Sequence, residues 1–285
     1  MGSGDDMASG DLILFERPAD GVARLVVNRP EARNAQSVDL LYRLDDAFTR
    51  ALLDDAVRVI IVAAAGVHFS TGHDLRQLMT TEPKEKFEGR GGSAGYAQPG
   101  GHGYLARERE VYFDLTRRWR NLGKPTIAEV QGQCIAGGLM LAWACDMIVA
   151  ADNAVFRDPV VAMGVSGVEW FAHPWELGSR KAKELLMTGA SWSAEEARGF
   201  GMVNHVVPLA ELPAFTLDLA RRIAAQPVFA VKMVKEAVNG AIDQQGQPAA
   251  LNLAFQMHQL CHYHNRERFG FEGDPGGMPN LTKRD

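Results

Sequence analysis

Apolar positions in the first half of the chain fall alternately into short runs and helical stripes. Residues 12–16 and 22–28 are apolar runs separated by Ala19-Asp20-Gly21, a turn signal, and together they predict a β-hairpin. From Ser37 onward, Val38, Leu41, Leu44, Phe48 and Leu52 recur at helical spacing, with Ser37 placed as the N-cap. Residues 57–64 form a continuous run rich in β-branched side chains, as expected of a strand covered on both faces. Helical periodicity resumes over 104–122, followed by an expected strand at 126–130, helix at 137–144 and strand at 147–151. This repetition predicts an α/β architecture with right-handed connections.

Beyond Phe156 the strands thin out, leaving one expected at 203–207. Ser193-Ala194-Glu195-Glu196 reads as a capping box opening a short helix that ends near Phe200-Gly201. Residues 209–225, 228–242 and 247–265 read as three consecutive helices, divided by Pro227 and by Gly246-Gln247-Pro248. In the last of these, Leu251, Phe255, Met257 and Leu260 form an apolar set that a monomer has difficulty covering, which predicts self-association. Between Thr81 and Gly103 lie seven glycines and no apolar periodicity, describing either a solvated surface loop or a lid. The expected division is a leader at 1–11 (disordered, or a remnant of added sequence), an α/β core at 12–208, a helical region at 209–270 and a tail at 271–285.

Composition narrows the function classes. The chain has 285 residues, 46% hydrophobic and 23% charged, enough for one large core. A net charge of -5, from 30 basic and 35 acidic residues, provides no broad positive field, so no nucleic-acid partner is expected. Cys134, Cys145 and Cys261 are too few and too scattered for a disulfide framework, which fits a reducing cytoplasm. No run approaches the ~20 apolar residues that cross a bilayer. The first residues lack the basic-then-apolar order of a secretory signal, and no membrane association is expected.

Two segments carry candidate chemistry. Gln131-Gly132-Gln133-Cys134-Ile135-Ala136-Gly137-Gly138 lies between a strand and an apolar helix. Its paired glycines allow a ligand close to the backbone, and free amides at a helix start favour developing negative charge. Tight helix-to-strand packing explains the same glycines equally well. Phe69-Ser70-Thr71-Gly72-His73-Asp74-Leu75 is a strand end turning into a helix, a turn able to present the His73 amide to a cleft. For its side chains, an ordinary loop histidine and an Asp74 stabilised by the helix dipole are the simpler readings.

These segments, with Asn28-Arg29-Pro30-Glu31-Ala32-Arg33-Asn34-Ala35 before them and Leu141-Ala142 and Cys145-Asp146 after, stand in an order and spacing that resembles the enoyl-CoA hydratase/isomerase (crotonase) family. The stretch Ala182-Lys183-Glu184-Leu185-Leu186-Met187-Thr188-Gly189, then Ala194-Glu195-Glu196-Ala197 and Gly201-Met202-Val203-Asn204, continues the likeness, which runs from about Leu12 to Asn265. The resemblance implies a crotonase-like spiral of ββα units with a helical C-terminal trimerisation region, assembling as a homotrimer or dimer of trimers. It implies an acyl-CoA or enoyl-CoA thioester as partner, with coenzyme A arriving as part of the substrate and no separate cofactor. Fatty acid metabolism, with lyase or isomerase chemistry, is the implied setting. The oxyanion amides map to His73 and Gly137. Arg29, Arg33 and Ala35 fall in the segment that meets the nucleotide end of coenzyme A, although both arginines read equally as solvated loop charges.

The likeness breaks where family hydratases carry two glutamates. Those positions hold Met140 and Val160 here, which cannot transfer a proton and which the resemblance places in the acyl pocket. Dienoyl-CoA isomerases and dehalogenases of the family place their acid further along, near Val168, and the next residue is Glu169. A carboxylate among apolar and aromatic neighbours would have a raised pKa and serve as acid or base. A solvent-facing glutamate at a helix start fits the position equally well, and Asp158 reads as a turn residue before Pro159. Hydration or double-bond isomerisation through an enolate, and non-catalytic acyl-CoA binding, therefore both remain open. Gly164-Val165-Ser166-Gly167 has the wrong spacing for a nucleophile elbow. His258 and His262 lack the adjacent glutamate of the zinc-protease motif and read as a polar or interface face, so no metal site is expected. His173-Pro174-Trp175-Glu176 reads as packing.

Overall fold

The computed structural model describes residues 11–75, 90 and 92–281. The expected hairpin is present: β1 (Ile13–Ala19) runs antiparallel to β2 (Val22–Val27). From β2 the pairing continues in parallel through β3 (Val59–Ala64), β4 (Thr126–Val130), β6 (Met147–Ala151) and β9 (His205–Val207), making a six-stranded sheet in that order. A second sheet orders the three short strands β5 (Gln133–Ile135), β7 (Val155–Arg157) and β8 (Ser191–Ser193). A parallel bridge between Ser70 and Cys134 brings the Phe69–Leu75 turn alongside β5. The chain thus passes from the large sheet to the small one and into a helix, then repeats: β3 to Ser70, β4 to β5 to α4 (Gly137–Trp143), and β6 to β7. The ββα spiral expected from the sequence is this course.

The period of two in the central strands feeds two cores. Ala23, Leu25, Val27, Ile60 and Val62 join one, while Val22, Val26, Val59, Ile61 and Ala63 join the other, all 7% exposed or less. Burial on both faces is why 57–64 read as an unbroken apolar run. Helix α1 (Val38–Leu53) covers the first core with Leu41, Leu44 and Phe48, its start held by Ser37 accepting from the Leu40 amide. On the opposite face lies α8 (Leu212–Ala224), through Leu212, Ala220 and Ala224.

The helix expected over 104–122 is interrupted. It begins earlier, as α2 (Gly100–Glu108), widens into a π turn (Arg109–Asp114) and resumes as α3 (Leu115–Arg120). Such a turn inserts one extra residue and rotates the side chains that follow, which periodicity alone does not reveal. Within it, Tyr112 stacks on the His73 ring at 3.8 Å between centroids. Of the glycine-rich stretch between Thr81 and Gly103, residues 81–89 and 91 lie outside the described residues, as do residues 1–10 of the leader. Helices α5 (His173–Leu177), α6 (Ser179–Thr188) and α7 (Ala194–Phe200) follow, the last opened by the expected Ser193–Glu196 capping box.

Helices α9 (Val228–Gln244) and α10 (Gln247–Phe269) complete the C-terminal region. Leu251 and Phe255, expected among the uncovered set, are buried within the protomer, whereas Met257 and Leu260 stay about half exposed. Along all 17 residues of α9 only Lys235 is buried, donating to the Asp146 carboxylate at 2.9 Å and the Lys124 carbonyl at 3.1 Å. No helix among the described residues is long and apolar enough to cross a membrane.

Candidate active site

The candidate site is organised by the loop from Asn28 to Gln36. Asn34 stands at φ 54° and is fully buried. Its amide group donates to the carbonyls of Ala65 and His68, both at 2.8 Å, and its carbonyl accepts from the Arg29 amide at 2.9 Å. Gln36, which the sequence reading passed over, joins the two candidate segments. Its backbone amide donates to the Gly72 carbonyl, its carbonyl accepts from Asp74, and its side-chain amide donates to the Gly137 carbonyl at 3.0 Å. Nothing but its place next to the Asn34-Ala35 loop could have marked it in the sequence.

Glycines let these segments meet. A Cβ on Gly72, itself at φ 91°, would lie 2.9 Å from the Ile135 carbonyl oxygen and 3.1 Å from the Gly137 amide nitrogen. One on Gly137 would lie 2.5 Å from the Gln36 side-chain oxygen and 2.7 Å from the His73 ring, and one on Gly138 would lie 2.7 Å from the Ser70 carbonyl. These contacts bear out the tight-packing reading of the glycines. Among the described residues no acceptor is found for the amides of His73 and Gly137, the two oxyanion positions. His73 Nδ1 is likewise buried without a partner among the described residues. A buried polar atom is normally paired, so the His73 ring nitrogen beside two amides without acceptors suits a polar ligand.

Glu169 is brought to the same place. It is 3% exposed, not solvent-facing, and His73 Nε2 donates to its Oε2 at 3.1 Å. Asp158 holds the segment that presents it: one carboxylate oxygen accepts from the Val168 amide at 3.1 Å, the other from Val160 at 3.3 Å, and His173 Nε2 is 2.9 Å away. Asp158 is therefore a buried clamp rather than a simple turn residue, while His173 packs against Trp143 and Phe171 as expected.

A chain of ionisable groups continues behind Glu169. His258 Nε2 lies 3.7 Å from Glu169 Oε1 and 3.4 Å from Glu108, and 2.9 Å from His262 Nε2. Burial disfavours the charged form of His258, but the Glu169 charge and the bond to Glu108 outweigh it and raise its pKa to about 9. Burial likewise pushes the Glu169 carboxyl up, and the charges of His73 and His258 reverse the effect, holding it below the usual carboxylate range. The raised pKa expected from apolar surroundings alone is therefore not what the site produces. The interface role expected for His258 and His262 also falls, since both are buried.

The remaining positions fall around this centre. Met140 is buried on α4 and Val160 half-buried in the turn after Pro159. Arg29 donates to Asp74 at 2.6 Å and to the Ala35 carbonyl at 3.1 Å, so it braces the loop. Arg33 is exposed, and among the described residues no carboxylate pairs with it.

Because Gly72 combines a left-handed backbone with contacts under 3.2 Å, Gly72→Ala should lower stability by about 2 kcal/mol or more. Denaturant titration measures it, and a loss under about 0.5 kcal/mol would contradict the close approach.

Comparison with known proteins agrees with this geometry. A family model described as enoyl-CoA hydratase/isomerase matches residues 17–98 and 91–273. A Mycobacterium tuberculosis protein named as an enoyl-CoA hydratase, EchA13, is 45% identical over 261 residues, covering 89% of this chain and 81% of its own length. A crystal structure from Mycobacterium smegmatis, also named as an enoyl-CoA hydratase, is 46% identical with a TM-score of 0.83, over 92% of this chain and 99% of the other. An enoyl-CoA hydratase/isomerase structure from Xanthobacter autotrophicus Py2 is 34% identical with a TM-score of 0.79, over 95% and 91%. Matched along nearly its whole length in sequence and in its strand, strand, helix course, the chain belongs to the enoyl-CoA hydratase/isomerase (crotonase) family.

Proposed function

We propose that the chain binds an acyl-CoA or enoyl-CoA thioester and moves a double bond in it through an oxyanion-stabilised enolate, with Glu169 carrying the proton. The observation behind this reading is the buried Glu169 carboxylate 3.1 Å from the ring of His73, the residue whose free amide pairs with that of Gly137. Removing a proton next to the thioester leaves negative charge on its oxygen, and two fixed amides meet that charge as it develops. Returning the proton to the other end of the allylic system needs one carboxylate. Hydration of the kind family hydratases perform uses two, at the positions of Met140 and Val160. In this reading those two side chains line the acyl pocket. Arg33 and Ala35 meet the nucleotide end of coenzyme A, with Arg29 behind them as a brace. The three free cysteines suit the cytoplasm, and metabolism of fatty acyl groups is the setting.

A second reading has its own support. Both oxygens of Glu169 already face histidines, His73 and His258, an arrangement that also suits a protein that binds acyl-CoA without turning it over. A panel of enoyl-, dienoyl- and 3-enoyl-CoA thioesters separates the two, since tight binding without turnover selects the second. If Glu169 carries the proton, Glu169→Gln keeps acyl-CoA affinity nearly unchanged and lowers turnover by roughly 10²-fold or more. A fully active variant rejects the assignment.

Hydration of crotonyl-CoA should be weak or absent. A turnover on the order of 10 per second or more would be incompatible with the loss of both glutamates.

The exposed apolar residues Phe229, Val234, Val238, Met257 and Leu260 on α9 and α10 support a trimer-based homo-oligomer. Light scattering at micromolar concentration should give a multiple of three protomers, and a stable monomer mass would sink this assembly.

A further inference from the structure

A set of metal-binding side chains lies next to Glu169, at a place where no metal was expected from the sequence. His258 and His262 sit one turn apart on α10, and Glu108 of α2 faces them; all three are buried. Each imidazole is fixed through Nδ1, His258 to the Gly167 carbonyl at 2.7 Å and His262 to the Glu272 carbonyl at 2.8 Å. A carbonyl can only accept, so both Nδ1 atoms carry hydrogen, and the two Nε2 atoms are turned toward each other at 2.9 Å. The Glu108 carboxylate approaches them at 3.4 and 3.7 Å, and the three ligand atoms lie within 4.8 Å of one another. Two nitrogen lone pairs and a carboxylate aimed at one point need a cation among them, either a shared proton or a metal ion. Among the described residues no lysine or arginine pairs with Glu108 or with Glu169, so no permanent side-chain cation balances these two buried carboxylates.

We propose that Glu108, His258 and His262 form a binding site for one divalent first-row transition ion of the zinc class. Nδ1 bonds to backbone carbonyls are the outer-shell device that fixes tautomer and ring orientation in metal-binding histidines. Two imidazoles and a carboxylate select zinc, cobalt or nickel over magnesium and calcium, which prefer all-oxygen shells. Tetrahedral zinc with Zn–N of about 2.05 Å needs nitrogens about 3.3 Å apart, so the rings open by only a few tenths of an ångström. Gln259 donates to Glu108 and steadies the carboxylate. The zinc-protease motif is not required, because the carboxylate comes from a different helix. His258 Nε2 is 3.7 Å from Glu169 Oε1, so the ion borders the proposed proton carrier, but its binding does not depend on that role.

Chelator-stripped full-length protein, titrated with Zn²⁺ against a chromophoric chelator, should bind one equivalent with Kd on the order of 1 μM or below. His262→Gln and Glu108→Gln should each weaken binding by roughly 100-fold or more. Co²⁺ in the unmutated protein should give the visible absorption of an ion with imidazole ligands, a readout that survives if a variant fails to fold. Failure of the unmutated protein to bind one equivalent overturns the proposal and leaves a shared-proton cluster. Unchanged Zn²⁺ affinity in both folded variants, or a Co²⁺ spectrum of the hydrated ion, also overturns it by placing the metal elsewhere.

Discussion

Backbone meets backbone where the turn carrying His73 approaches the helix start carrying Gly137, and much of the site follows from that contact. Positions 72, 137 and 138 have no room for a Cβ, and Gln36 bonds to both sides of the junction. The approach needs a strand of the large sheet and a strand of the small sheet to end at the same place. Parallel pairing of β3 with β4, and the Ser70–Cys134 bridge, bring that about. Amides left over at such a junction are already oriented, which is what the proposed oxyanion role requires of them.

Charge burial is the second determinant. Glu169 and Glu108 lie in a region with little solvent, where an isolated carboxylate would be neutralised by taking up a proton. Three histidines face them, and the mutual effect is to lower the pKa of both acids and raise that of His258. The chain from His73 through Glu169 to His258 and His262 connects the Phe69–Leu75 turn to the long C-terminal helix. Removing one member would strand the charge of its neighbour, so these groups behave as a unit.

The C-terminal helices contribute unequally. Helix α10 supplies Leu251 and Phe255 to the core and both histidines to the charge chain, whereas α9 is tied to the body by polar contacts of Lys235, Asn239 and Asp243. A helix with so little buried surface gains little from tertiary packing, which ordinarily supplies most helical stability. Its valines and Phe229 stay exposed in the protomer.

Local periodicity and turn chemistry determined much of the framework. The hairpin, the doubly covered strand at Val59–Ala64, the Ser37 cap, the Ser193–Glu196 capping box and the paired glycines depend on neighbours within a few residues, so they are legible in order along the chain. The family's motif order likewise directed attention to His73, Gly137 and Glu169. Tertiary structure decided what depends on distant partners. Whether Glu169 faces solvent or His73 depends on a residue 96 positions away, and whether His258 and His262 form an interface or a buried cluster depends on Glu108, about 150 positions earlier. The π turn at Arg109–Asp114 and the clamping roles of Gln36 and Asp158 belong with these. Burial and charge compensation are properties of the assembled environment, and side chains of the same type at the same local spacing acquire them only when the elements that face them are in place.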